Sequence, residues 1–416
     1  MDAWADAPAV HGRHTAGMRI VCCLAALAVL ATACRTGHSN VTTVAPTGAA
    51  TAARVAPVAT PTVVDVIADT RRRIESAPVL VGSSGRLIYL RGPDLFIVDL
   101  VTGSNEQLTQ GSVGAGYAGD AVIDGTTWLY YFSITDSGGA RPSTAAMLRR
   151  RLGDAHDEQL FVFHPSGFLN QARDTAAVSP DGVDVAYAGD DGLHVRTLAS
   201  GDDRLLLQSM PAPADRSVVG THYGRPVWSP GGRWLLVSRE SDGPGNARNE
   251  GPLILDPSDA ASERDLPLAG SPEWSPDGQE LCGNTRATVD DVALYEVASG
   301  EVRNLTSSWF ANASLAHAFG PCAWSSEGKL ASGYDIGAIQ FEVAVLDASG
   351  AKIAIVDAGA VLPDVSWWLP DGTGVIVTSL NGAALNANSN AVMLDGSWRR
   401  LPTDPGYVVG TIPASP

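Results

Sequence analysis

The chain has 416 residues, enough for one large domain or two ordinary ones. Hydrophobic residues make up 45% of it and charged residues only 18%, which excludes a chain that is disordered throughout. The 45 Asp and Glu residues outnumber the 28 Lys and Arg residues, giving a net charge of −17. Because nucleic acids and anionic lipid headgroups would be repelled by this charge, we expect neither as a partner.

The start of the chain has the pattern of an export signal. Arg19 precedes an apolar run at residues 20–30, and small residues follow it. A basic residue, a short apolar run and small residues are typical of a secretory signal. The run is shorter than the about 20 residues that span a bilayer. We therefore predict a signal at residues 1–33, with Met18 as the true start.

Cys34 directly follows the small residues Ala31, Thr32 and Ala33. This arrangement resembles the bacterial lipobox, in which the cysteine is lipidated and becomes the mature N-terminus; the alternative is a plain signal peptide with an incidental cysteine. Residues 34–61 are rich in Thr, Ala and Pro and nearly free of charge. Since they lack periodicity and their prolines block regular elements, we predict a disordered tether.

A short phrase recurs in residues 62–416, and fixed-period repetition is the strongest sequence signal of architecture. Each copy has an apolar strand end, a tight turn and a new apolar run. The copies lie at residues 178–182, 228–232, 274–278, 324–328 and 368–372. Pro presets φ in such a turn and Gly accepts a positive φ. The Trp that begins most copies is large enough to fill the wedge between neighbouring repeats.

A second hairpin signal follows each phrase, an apolar run that ends in Ser-Gly or Thr-Gly. With degenerate copies at Gly85 and Gly125, the turn glycines recur at roughly the 40–50 residues of a four-stranded propeller blade. We predict an all-β chain with a single β-propeller of seven blades, six or eight being the alternatives. Stacking in a ring buries both faces of each repeat and leaves few open edges.

These phrases resemble the TolB-like, WD-related β-propeller repeat, whose core is Trp-Ser-Pro-Asp-Gly. The match is best at Trp274-Ser275-Pro276-Asp277-Gly278. A lipobox before a propeller is similar to the arrangement in actinobacterial cell-envelope lipoproteins. The resemblance implies a periplasmic or surface scaffold that binds proteins or cell-wall components.

Chemistry-bearing residues are sparse. His222 and His317 precede the Trp of two copies by similar distances, so both are predicted in loops at the mouth of the central channel, with Tyr223 and Arg225 beside His222. They are candidate binding residues, with exposed loop histidines as the bland alternative. Because a metal site needs three or four converging ligands, we predict no metal and no cofactor.

Two further patterns remain. Cys282 and Cys322 stand in adjacent repeats, so they form either an interblade disulfide or two buried thiols. Gly114, Gly116 and Gly119 spell a dinucleotide-binding pattern, but no helix pattern follows, so we predict a flexible loop.

The function expected from these patterns is non-enzymatic. The chain is predicted to be exported, anchored through Cys34 to the outer side of the cytoplasmic membrane, and monomeric. There it would be a scaffold for an envelope protein or a cell-wall polymer. The alternative is a propeller enzyme, a polysaccharide lyase or hydrolase resembling the oligogalacturonate lyases, acting in the channel with His222 and His317.

Overall fold

The computed structural model describes residues 63–136, 144–166, 175–210, 219–243, 246–285, 291–309, 319–337, 340–359, 363–379, 389–403 and 406–414. The chain divides into two units, Met1–Ala59 and Thr60–Pro416. All described residues belong to the second unit. The export signal, Cys34 and the tether lie outside the described residues and stay predictions.

Seven four-stranded antiparallel sheets form the blades of a ring, which confirms the predicted all-β propeller. Blade 1 contains β1 (Arg86–Arg91), β2 (Asp94–Asp99), β3 (Asn105–Gln107) and, from the end of the chain, β28 (Tyr407–Ile412). Blade 2 contains β4 (Gly114–Ile123), β5 (Thr126–Asp136), β6 (Thr144–Arg151) and β7 (Asp157–Phe163). Blade 3 contains β8 (Ala176–Val178), β9 (Asp184–Gly189), β10 (Gly192–Thr197) and β11 (Asp203–Gln208).

The remaining blades each use four consecutive strands. Blade 4 contains β12 (Gly220–Trp228), β13 (Leu235–Gly243), β14 (Asn246–Asp256) and β15 (Asp259–Asp265). Blade 5 contains β16 (Leu268–Trp274), β17 (Glu280–Thr285), β18 (Val292–Glu296) and β19 (Val302–Asn304). Blade 6 contains β20 (Phe319–Trp324), β21 (Leu330–Gly337), β22 (Gln340–Leu346) and β23 (Lys352–Gly359). Blade 7 contains β24 (Pro363–Trp368), β25 (Gly374–Ser379), β26 (Ser389–Met393) and β27 (Trp398–Arg400).

The repeated phrase is the turn between the first and second strands of a blade. In blade 5, Ser275 Oγ donates to Asp277 Oδ1 over 2.7 Å and accepts the Glu280 N–H over 2.9 Å. Asp277 Oδ1 also accepts the Gln279 N–H, and Gly278 closes the turn at φ +68°. The aspartate is therefore a turn residue, and the side of the ring that carries these turns is called the turn side below.

The tryptophans of the phrase join neighbouring blades. In three blades the indole N–H donates to a backbone carbonyl of the preceding blade: Trp228 to Ala177 at 3.1 Å, Trp274 to Val227 at 3.2 Å and Trp368 to Ala323 at 3.0 Å. These indoles are nearly fully buried. They fill the wedge between blades, as the sequence predicted.

Blade 2 departs from this pattern. Asp120 pairs with Leu129 across β4 and β5, as Trp274 pairs with Leu281 in blade 5. Its carboxylate accepts the Tyr117 O–H over 2.8 Å, and burial raises the pKa of both groups. The Tyr117 ring leaves no room for a Cβ at Gly410 in β28. The flexible loop predicted at residues 114–119 is wrong, because these glycines lie in strand β4.

A helix that the sequence analysis did not foresee precedes blade 1. Helix α1 (Val63–Ser76) packs against β23 and β27, the outer strands of blades 6 and 7. Ile74 lies on their shared core, and Arg73 pairs with Asp357 on β23 at 2.6 Å. Within the described ranges, no helix has the length and apolar character required to cross a bilayer.

Candidate binding site

The predicted channel-mouth residues lie inside the first strand of blade 4. His222, Tyr223 and Arg225 all belong to β12, not to the loop before it, and His222 is 8% exposed. Tyr223 packs on the core between blades 3 and 4, and burial raises its pKa. Arg225, at φ +50°, donates to Ser271 Oγ of blade 5 over 3.2 Å. His317 lies outside the described residues.

The two cysteines join blades 5 and 6. Cys282 on β17 and Cys322 on β20 form a disulfide with their Cα atoms 6.2 Å apart. The side-chain amide of Asn284 donates to two carbonyls of β20 at the same seam, those of Phe319 and Gly320. In the part of the chain that the structure describes, no group of three or more His, Cys, Asp or Glu side chains is arranged to hold a metal ion.

Glu273 is an ionisable group that sequence reasoning missed. It lies on β16 opposite Cys282, and its carboxyl accepts the backbone N–H of Trp324 in blade 6. Burial raises its pKa to about 8, so it is mostly protonated at neutral pH. The sequence contained a signal for it: the residue directly before the Trp is apolar in the neighbouring blades, Val227 and Ala323, but acidic in blade 5.

A groove of about 620 Å³ opens on the turn side between blades 4 and 5. Its blade 4 wall consists of Ser229, Gly231, Arg233, Trp234 and Arg264, and its blade 5 wall of Asp277, Gly278, Gln279, Glu296, Val297 and Ala298. Its volume falls within the roughly 300–1,000 Å³ of ligand pockets in proteins.

Two residues of the groove depart from the repeat. Gly231 stands where the other good copies carry Asp181 or Asp277, so the rim lacks a side chain there. Trp234 is the residue whose N–H is capped by the turn serine, Ser229, over 3.0 Å. The residues capped in the same way in blades 3 and 5 are acids, which makes Trp234 an exception to a polar position.

Two guanidinium groups lie over the Trp234 ring. The Cζ of Arg264, on the outer strand β15, is 4.6 Å from the ring centroid, and that of Arg233 is 5.1 Å away. Arg264 also donates to the Val297 carbonyl of blade 5 over 3.0 Å. Such cation–π contacts contribute about 0.5–1 kcal/mol each at exposed sites. They hold both cations at the groove rather than letting them extend into solvent.

The same construction recurs at the next seam with different chemistry. Arg303, on the outer strand of blade 5, donates to the Ala348 carbonyl of blade 6 over 2.7 Å. It also pairs with Glu280 at 3.3 Å, and Glu280 holds the position that Trp234 holds in blade 4. Blade 4 therefore has the arginine of this arrangement without its carboxylate.

The chain is thus a seven-bladed β-propeller with a groove on its turn side, one wall of which is cationic and aromatic. No family model matches the sequence, and no curated protein matches it. Among solved structures, it is similar to TolB from Acinetobacter baumannii at 15% identity and TM-score 0.42, covering 78% of this chain and 80% of that one. The seven four-stranded blades confirm the fold that the repeated phrase predicted.

The chain is also similar to a periplasmic gluconolactonase from Pseudomonas aeruginosa, at 14% identity and TM-score 0.46, covering 80% of this chain and 97% of that one. It is similar to an oligogalacturonate lyase from Vibrio parahaemolyticus at 11% identity and TM-score 0.39, covering 61% of this chain and 72% of that one. These similarities concern the fold, and no activity of this chain follows from them.

Proposed function

We propose that the protein is an exported, lipid-anchored binding scaffold that holds an envelope protein or a cell-envelope polymer without transforming it. The ring would stand clear of the membrane on the tether that follows Cys34. The groove between blades 4 and 5 would be its working surface.

The observation that carries this proposal is Trp234. The repeat places an acid at this position in blades 3 and 5, whereas blade 4 has an aromatic ring that packs against the core between blades 4 and 5. The ring is only partly buried, and it lines an open groove with two arginines. Trp and Arg are the residues most enriched among those that dominate binding energy at protein interfaces. A tryptophan at a position that is acidic in two other blades, with part of its ring open to a groove, supports a binding surface.

Site-directed photo-cross-linking in the native envelope tests the scaffold. A photoreactive amino acid at Gln279 lies in the groove, whereas one at Thr373 occupies the corresponding turn of blade 7. We expect a discrete adduct from position 279, its loss on Trp234→Glu, and no such adduct from position 373. Equal adducts from both positions, or none from 279, would argue against the groove as the working surface.

Membrane fractionation tests the anchor separately. We expect Cys34→Ala to release the protein from the membrane fraction, whereas Cys282→Ser with Cys322→Ser leaves it bound. A Cys34→Ala protein that stays with the membrane contradicts lipidation at this residue.

A catalytic role in the channel is the second candidate, and Glu273 is the residue that favours it. An acid with its pKa near 8 on a first strand can give up a proton at neutral pH, and shifted pKa values cluster at active sites. We would test it by assaying lactone and polysaccharide cleavage by the wild type and by Glu273→Gln. Cleavage by the wild type that is lost in the variant would favour an enzyme. The absence of cleavage by both proteins would favour the scaffold function.

A further inference from the structure

We propose that the groove between blades 4 and 5 binds a carboxylate of a partner polypeptide, with an apolar side chain of the same partner beside Trp234. The inference rests on the proposed scaffold function and names the chemistry of its ligand. The carboxylate would lie against Arg233 and Arg264. It would take the place that Glu280 fills for Arg303 at the next seam.

Among the described residues, Arg264 lacks the carboxylate partner that its counterpart in blade 5 has. Arg264 and Arg303 sit on the outer strands of adjacent blades, and each donates to the carbonyl of the next blade's hairpin. Arg303 has a carboxylate at 3.3 Å, whereas no described carboxylate lies within ion-pair distance of Arg264. A guanidinium group favours bidentate pairing with a carboxylate, so the blade 4 site is open to one from outside.

Arg233 adds a second cation to the same wall of the groove. It is exposed, lies over the Trp234 ring, and is near enough to Asp256 to help lower the pKa of that carboxyl, but it forms no direct ion pair with any described residue. Gly231 beside it has no atom within 4 Å of the place where a Cβ would be, so the rim stays open here. Two cations and an aromatic ring thus face the groove on one wall.

The charge of the opposite wall favours a polypeptide over a polyanion as the ligand. Asp277 and Glu296 line that wall, and the whole chain has a net charge of −17. A polymer with an anion at every unit would meet repulsion from both. A polypeptide with one isolated carboxylate next to an apolar side chain satisfies the arginines and the ring without placing further negative charge against the acids.

The carboxylate has two sources in a polypeptide, an acidic side chain or the C-terminus. The probes are therefore fluorescein-labelled peptides of Gly and Ser around a single Phe. The first has Glu beside the Phe and an amidated end, the second ends in Phe with a free carboxylate, and the third has Gln and an amidated end. A labelled oligogalacturonate serves as the polyanion. Binding to the purified full-length protein is followed by fluorescence anisotropy at low salt.

We expect the first or the second peptide to bind and the third to bind at least about tenfold more weakly, since a charge-assisted hydrogen bond is lost. Trp234→Glu, which supplies an internal carboxylate to Arg264, and Arg233→Ala should each weaken binding by about tenfold or more. Arg303→Ala, at the matched position of blade 5, should leave binding unchanged. Thermal unfolding of each variant verifies that it is folded.

The proposal is overturned if no peptide binds, if the Gln peptide binds as well as the others, or if oligogalacturonate binds in their place. It is also overturned if both groove variants bind like the wild type. The scaffold function fails separately, through the absence of a cross-link from position 279. A cross-link there without peptide binding would keep the scaffold and reject only this ligand.

Discussion

Blades 4 and 5 are built from the same parts and end in different chemistry. Each has a turn serine that caps the residue at the junction of the turn and the second strand, and each has an outer-strand arginine that reaches the next blade. In blade 5 the capped residue is Glu280, which pairs with Arg303 and neutralises it. In blade 4 the capped residue is Trp234, which contacts Arg264 through its ring and carries no charge. The comparison separates what the repeat needs for folding from what one copy has been free to change.

The largest expected effect distinguishes two tryptophans that lie on the two walls of one seam. Trp274 is 6% exposed and bonded to blade 4, so Trp274→Ala should lower the free energy of unfolding by about 3–5 kcal/mol. Trp234→Ala should lower it by less, about 1–2 kcal/mol, because the ring is only partly buried on the core between blades 4 and 5 and makes two cation–π contacts. Chemical denaturation measures both, and equal losses would make Trp234 a structural residue.

The next effect concerns the covalent link that seam 5–6 has. The Cys282–Cys322 disulfide closes a sequence separation of 40 residues. Replacing both cysteines by serine should lower the free energy of unfolding by about 2–4 kcal/mol. Urea denaturation with and without reductant measures this, and the wild type under reductant should behave like the variant. An unchanged midpoint would mean that the noncovalent contacts of this seam, among them the hydrogen bonds of Asn284, hold it without the disulfide.

Glu273 adds a pH dependence to the same seam. Its folded pKa, about 8, lies above the ordinary value of 4.5, so the unfolded chain loses this proton first as the pH rises. This group therefore costs stability progressively between about pH 4.5 and pH 8, at up to about 1.4 kcal/mol per pH unit. Glu273→Gln should be more stable than the wild type above pH 8, by a few kcal/mol at most, and similar to it near pH 4. A difference that does not change with pH would contradict a Glu273 carboxyl that is protonated in the folded protein at neutral pH.

The smallest effect restores the repeat in blade 4. Gly231 has no positive φ and free space where a Cβ would lie, so an aspartate introduced by Gly231→Asp can accept the bonds that Asp277 accepts in blade 5. We expect a gain of about 0.5–1 kcal/mol in the free energy of unfolding. The new carboxylate beside Arg233 should at the same time weaken peptide binding. A stable variant with unchanged binding would remove Gly231 from the groove's function.

The ring was predictable because turn chemistry is local. All seven turn glycines, from Gly85 to Gly372, adopt a positive φ, and each marks one blade. Spacing and residue type were enough, since Pro and Gly fix the reversal within a few residues. The helix α1 escaped prediction because its signal, Ile67, Thr70 and Ile74 on one face, is short and follows a proline-rich tether.

The candidate site was less predictable because its residues stand out only when the same position is compared between blades. His222 looked functional by its place in the sequence, yet β12 carries it into a buried position. The aromatic residue at position 234 looked like an ordinary strand residue. Its significance required knowing that the same backbone position carries Glu280 in the next blade and that an arginine from another strand meets it. No local pattern contains that information.

The strand that completes blade 1 comes from the far end of the chain. Arg86 on β1 pairs with Ile412 on β28, so the sheet that begins first is finished last. This pairing joins residues that are far apart in sequence. Closing so long a loop costs conformational entropy before the contacts of the strand can stabilise it. The closure should therefore be a late, slow step of folding. Truncation of β28 should leave the other blades intact but allow the ring to open between blades 1 and 7.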